Sequence, residues 1–115
     1  MAGKEDRRGY IALYRSILDW EWYSDPNTCR VFLHLLLTAY YEDTPWRGIT
    51  LKRGSREISL TGLATECALT VRQARTALKH LEMTGEVTRQ KMPQTTVITI
   101  KNYDHYQDAT RQVTG

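Results

Sequence analysis

The stretch "LATECALTVRQARTALKHLEMTG", Leu63 to Gly85, decides how the rest of the chain is read. At about 100° per residue, Val71, Ala74, Ala77, Leu78 and Leu81 fall on one stripe of a helix. Arg72, Thr76, Lys79, His80 and Met83 centre on the opposite side, flanked by Gln73 and Arg75. That polar side carries no acid until Glu82, whereas a solvated face ordinarily mixes acids with bases. A partner that is negative, or that offers hydrogen-bonding edges, would account for the pattern.

Signals on either side bound this helix. Thr70 is a good N-cap, and Gly85 supplies the left-handed residue that ends the run after Thr84. Upstream, Ser59 caps a shorter helix in which Leu60, Leu63, Ala64 and Cys67 stand at i, i+3, i+4 and i+7, with "ALT" as the turn between the two. Downstream, "EVTRQKMPQTTVITIK" holds two β-rich runs separated by Met92-Pro93-Gln94, the pattern of a hairpin with an exposed tip. Nearer the N-terminus, Asp25 and Pro26 open a helix whose Val31, Phe32, Leu33, Leu35, Leu36, Leu37 and Tyr40 cover nearly every side. Such a helix must be buried on most of its circumference, inside the domain or against a second subunit. Residues 10–18 read as a short strand leading into a helical turn, "TPWRG" as a turn, and "ITLKRGSREIS" as an extended pair broken at Gly54. The expectation is an α+β winged helix-turn-helix with about three main helices and a C-terminal β-hairpin wing. It occupies residues 10–107, with flexible stretches at 1–9 and 108–115.

Length and charge fit one such domain. The 115 residues allow a single core, and the apolar (41%) and charged (25%) fractions are those of an ordinary globular chain. No apolar run approaches the roughly 18 residues of a membrane span, and "MAGKEDRRGY" lacks the apolar region of a secretory signal. Cys29 and Cys67 read as reduced thiols of a cytoplasmic protein. The net charge of +3 is unevenly spread: residues 47–101 hold 10 basic and 4 acidic side chains, and both flanking segments are net acidic. The positive charge thus belongs to the segment containing the opening stretch, as expected for a protein that meets nucleic acid.

The residue types suit duplex DNA. Arg and Lys bond guanine edges or phosphates, Gln can pair with adenine, and Thr can meet a thymine methyl. With the helix in the major groove, its N-terminal residues Arg72, Gln73 and Thr76 are the candidate base readers; Arg75, Lys79, Arg89 and Lys91 suit phosphates or the minor groove, and His80 shares the same face. Arg53 and Arg56 either extend this footprint or are ordinary strand-surface charges. The bland alternative for the whole face is a solvated helix, and the alternative for the fold is a protein-docking or dimerisation module.

The order "ILDWEWYSDPNTCRVFLHLLLTA", "ITLKRGSREISLTGLATECALTVRQARTALKHLEMTGEV" and "VITIKNYDHYQ" resembles the N-terminal winged-helix domain of DnaD-like and phage replisome-organiser proteins, from about Gly9 to Gln107. The resemblance implies a bacterial or prophage role in replication initiation, binding DNA, self-associating, or both, beside other replication proteins of a primosome. Ala68 departs from it, standing where these proteins usually carry Gly. The turn is therefore expected to be built differently if that position needs positive φ. The chain ends at Gly115 without the helical C-terminal domain that many relatives carry, and so reads as an excised domain or a stand-alone version.

Catalysis finds little footing. There is no G-x-x-x-x-G-K-S/T, H-E-x-x-H, G-x-S-x-G or C-x-x-C, so no enzyme, cofactor or metal is expected. His34 reads as a satisfied residue of the apolar helix, and His105 as a packing or capping residue. Trp20, Trp22 and Tyr23 could stack on bases, but Asp19, Glu21 and Asp25 surround them, so a core or subunit contact is the better reading. The expected partners are double-stranded DNA and, through the Val31–Tyr40 helix and the Trp20/Trp22 region, a second copy of the chain; no membrane is expected. The alternatives that stand are a transcription regulator of the same fold and an oligomerisation module with little DNA affinity.

Overall fold

The helix that opens the core, α1 (Pro26–Thr38), starts where its sequence dictates. Asp25 holds an extended conformation, its carboxylate accepts from Thr28 N at 3.2 Å, and Pro26 takes the first helical position. The structure, a computed structural model, describes residues 9–107; the stretches 1–8 and 108–115, where flexible ends were expected, lie outside them. The element order is α1, β1 (Thr44–Trp46), β2 (Ile49–Leu51), β3 (Ser55–Glu57), α2 (Leu60–Cys67), α3 (Val71–Met83), β4 (Val87–Lys91), β5 (Thr96–Ile100) and α4 (Tyr103–Gln107). The architecture is α+β: four helices beside a two-stranded antiparallel sheet, β1-β2, and a three-stranded one in the order β3-β5-β4.

One core serves all of it. Val31, Phe32, Leu35 and Leu36 of α1 meet Leu63 and Cys67 of α2 and Ala77, Leu78 and Leu81 of α3, and Ile58, Val87, Ile98 and Ile100 close it from the sheet side. Each large aliphatic side chain buried this way contributes about 1.5–3 kcal/mol. The apolar circumference of α1 is therefore largely covered within the domain. Leu37 remains 64% exposed, as does Tyr41 just beyond the helix. The β4–β5 register runs from Val87 opposite Ile100 to Lys91 opposite Thr96, and the tip is closed by Met92 N donating to Thr95 O at 2.8 Å.

The turn between α2 and α3 uses Ala68 in the left-handed region, φ 58° and ψ 43°. Ala68 N donates to Thr65 O and Leu69 N to Ala64 O, the paired bonds of a Schellman ending. The position thus needs positive φ and takes it with Ala, so the differently built turn expected from the sequence does not occur. Gly85 ends α3 in the same way at φ 84°, with Glu86 N donating to Leu81 O at 2.9 Å. At Gly54 both conformation and space exclude a side chain. Its φ is 81°, and a Cβ would come within 2.7 Å of Tyr103 Cβ.

Three segments differ from the expectation. Thr44–Trp46, expected as a turn, is a strand paired with Ile49–Leu51. The turn is only Arg47-Gly48, both at positive φ, as a two-residue hairpin loop requires. Residues 10–18 contain no strand: Ala12 N donates to Tyr106 O of α4 at 2.7 Å rather than to a strand, and a 3-10 turn follows over Arg15–Asp19. The segment "YDHYQ", whose polar composition offers no helical stripe, forms α4, anchored by buried Tyr103.

Glu66 of α2 joins three elements. It accepts two bonds from Arg56 on β3, at 3.0 and 2.8 Å, and lies 2.7 Å from His34 Nε2 on α1. The Arg56 bonds hold its carboxyl at about 2. A carboxyl held below its unfolded value stabilises the fold above that value, and the contribution disappears as pH falls from about 4.5 toward 2. Glu66→Gln should therefore lower stability at neutral pH and flatten the acid limb in that window, as urea titrations at several pH values would read. Replacing exposed Ala68 by Gly should relieve the left-handed strain and raise stability by about 1 kcal/mol, a gain of roughly 4–8 °C in thermal unfolding by circular dichroism.

Candidate nucleic-acid interface

Helix α3 is fixed at its start by a capping box. Thr70 Oγ1 accepts from Gln73 N at 3.1 Å, and Thr70 N donates to Gln73 Oε1 at 2.9 Å. Its inner stripe, Ala74, Ala77, Leu78 and Leu81, is buried, which aims the outer one at solvent. Arg72, Arg75, Thr76, Lys79 and Met83 are all exposed there. Among the described residues, none of Arg72, Arg75 and Lys79 has a carboxylate partner within ion-pair distance.

The one acid of α3 is neutralised from the hairpin. Arg89 on β4 donates to both oxygens of Glu82, at 3.2 and 2.9 Å. The pair fastens hairpin to helix and takes Arg89 out of the set of free cations. Lys91, at the outer end of β4, is exposed and without an acidic partner among the described residues. Arg72, Arg75, Thr76 and Lys79 thus form one surface, with Lys91 on the neighbouring hairpin. Gln73 stands beside that surface with its carbonyl engaged in the cap.

His80 belongs elsewhere. Its ring stacks on Trp22 with centroids 4.2 Å apart and planes 6° from parallel, and Nδ1 lies 2.8 Å from Thr28 Oγ1 and 3.3 Å from Asp25 Oδ2. The grouping of His80 with the outer face is therefore corrected: it lies on the flank of α3, where it locks the helix to the start of α1. Trp22 Nε1 donates to Thr84 Oγ1 at 2.9 Å, and Trp20 packs on Phe32 while its Nε1 donates to Glu86 Oε2 at 3.2 Å. The two tryptophans brace the end of α3 from within, and their rings are not presented as a stacking platform. Periodicity could not find this joint, because residues some 60 positions apart make it.

Arg53 and Arg56 do not extend the basic surface. Arg53 donates to Asp104 at 2.7 Å and to the Tyr41 carbonyl at 2.8 Å, with its guanidinium over Tyr103. Arg56 is clamped on Glu66. Burial pushes the Cys29 and Cys67 thiols up, so neither is a ready thiolate. Among the described residues no cluster of three or more His, Cys, Asp or Glu side chains could hold a metal, and no helix is long and apolar enough to cross a membrane. No protein-family model matches the chain, and no curated protein or solved structure is significantly similar to it.

The two sides of α3 should respond differently to truncation. His80→Ala removes a stacked ring and a hydrogen-bond partner and should lower stability by about 1–3 kcal/mol in urea unfolding. Arg72→Ala should stay within about 0.5 kcal/mol of the wild type.

Proposed function

We propose that the chain is a DNA-binding winged helix-turn-helix domain, with α2 and α3 as the helix pair, α3 lying in the major groove and the β4–β5 hairpin as the wing. The observation that carries this reading is the outer face of α3, where three exposed cations stand without acidic partners among the described residues and the only acid of the helix is neutralised by Arg89. Arg72 and Thr76, near the helix start, are the base readers, with the free amide of Gln73 beside them. Arg75, Lys79 and Lys91 serve phosphates. The likeness to DnaD-like and replisome-organiser domains favours replication initiation over transcriptional control. A palindromic operator with half-sites about one helical turn apart would favour the regulator.

A second reading rests on Leu37 and Tyr41, both 64% exposed at the C-terminal end of α1. They would seat a second copy of the chain or a replication partner, and this contact is compatible with DNA on α3.

Fluorescence anisotropy with a mixed-sequence duplex tests the main reading. Non-specific Kd should be about 10⁻⁴–10⁻⁶ M at physiological salt. With Arg75, Lys79 and Lys91 on phosphates, log K should fall against log salt with a slope near −2.7, about −0.9 per phosphate. Lys79→Ala should reduce that magnitude by about 0.9, whatever the sequence. A flat salt dependence, or equal affinity in the Arg72→Ala/Lys79→Ala protein, would overturn the reading.

A further inference from the structure

Behind the C-terminal end of α3 lies a half-open cavity of about 250 Å³ that the DNA reading does not use. Its walls are aromatic: Trp20 and Phe32 meet at 5.0 Å, Tyr106 stands edge-on to Phe32 at 5.7 Å, and Tyr14 closes one side. The polar groups set into these walls include two carboxylates, Glu86 and Asp19. Among the described residues the only other titratable lining groups are the tyrosines and His105, which packs against Tyr14 at 4.5 Å.

Glu86 is the unusual member. Its carboxylate accepts from Trp20 Nε1 and from the Thr84 hydroxyl, both neutral donors, and among the described residues no Lys, Arg or His pairs with it. Asp19 likewise has no basic partner among them. The half-buried charge of Glu86 also faces Tyr106, whose hydroxyl is pushed up by burial and by that carboxylate. The end of α3 adds the negative pole of its helix dipole at the same place. An anionic, aromatic-walled cavity selects a cation, because ring faces and carboxylates both attract positive charge while the walls bury an alkyl stem. Its volume is below the roughly 300–1,000 Å³ of drug-sized ligand sites, and suits one side chain or a small amine.

We propose that this cavity is a receptor for an alkylammonium group, held on the Glu86 carboxylate between the rings of Trp20, Phe32 and Tyr106. The group can come from a lysine of a partner protein or from a free polyamine. The site lies apart from the outer face of α3 and does not depend on the DNA reading.

The probe is n-butylammonium chloride, titrated into the full chain while the Trp20 indole N–H resonance is followed by NMR, with 1-butanol and sodium chloride as controls. The resonance should shift saturably, with Kd in the millimolar range, and neither control should reproduce the shift. Glu86→Gln keeps an acceptor for Trp20 Nε1 but loses the charge, and should weaken binding about tenfold or more. The Trp22 and Trp46 resonances report whether that variant is folded. Spermidine and Nα-acetyl-lysine amide, whose ε-ammonium is free, then separate the sources, the tighter binder naming the favoured one. An equal shift with sodium chloride or butanol, or undiminished binding in a folded Glu86→Gln protein, would overturn the proposal.

Discussion

The rotation of α3 about its own axis is the constraint on which the other features depend. Ala74, Ala77, Leu78 and Leu81 are all essentially buried, and two of the four are alanines, which lets α3 lie close against its neighbours. Turning the helix by one residue would expose Leu81 and bury Arg75, or expose Leu78 and bury Gln73, at a cost of several kcal/mol. The outer stripe is thus fixed by the inner one. The left-handed Ala68 sets where the helix begins, the Schellman ending at Gly85 sets where it stops, and His80, stacked on Trp22 and hydrogen-bonded to Thr28, holds its far half to the start of α1.

Electrostatics then separates two kinds of basic residue. Arg53, Arg56 and Arg89 each hold a carboxylate and join distant elements, so their charges are spent inside the fold. Arg72, Arg75, Lys79 and Lys91 hold none among the described residues. Exposed pairs of the first kind contribute only about 0–1 kcal/mol each to stability. Their larger consequence here is to remove acids: with Glu66 and Glu82 engaged, little negative charge remains to oppose the free cations. Two acids that lack a basic partner among the described residues, Asp19 and Glu86, line an aromatic cavity beyond the C-terminal end of α3.

Much of this was legible in the sequence, for local reasons. Asp25, Ser59 and Thr70 each cap the helix they precede, and the apolar stripe of α3 is buried from Ala74 to Leu81 as its spacing implies, while Val71 at its start is exposed. Where reading along the chain fell short, non-local contact decided. His80 has the chemistry of a groove contact, yet a tryptophan 58 positions upstream claims it. Arg89 looks free on its strand until Glu82 is placed opposite. Thr44–Trp46 became a strand because a two-residue turn folds it onto Ile49–Leu51, and Pro45 in its middle argued against that assignment. Ala68 could be flagged as a departure, but only the backbone tells whether the turn tolerates it.

The most direct test of the account is a map of where DNA touches the chain. Uniformly ¹⁵N-labelled protein titrated with a mixed-sequence duplex at low salt should show its largest amide shifts from Val71 to Lys79 and at the Lys91 end of the hairpin, with α1 unmoved. Shifts confined to the Leu37–Tyr41 end of α1, or none along α3, would contradict it and leave the basic face an ordinary solvated surface.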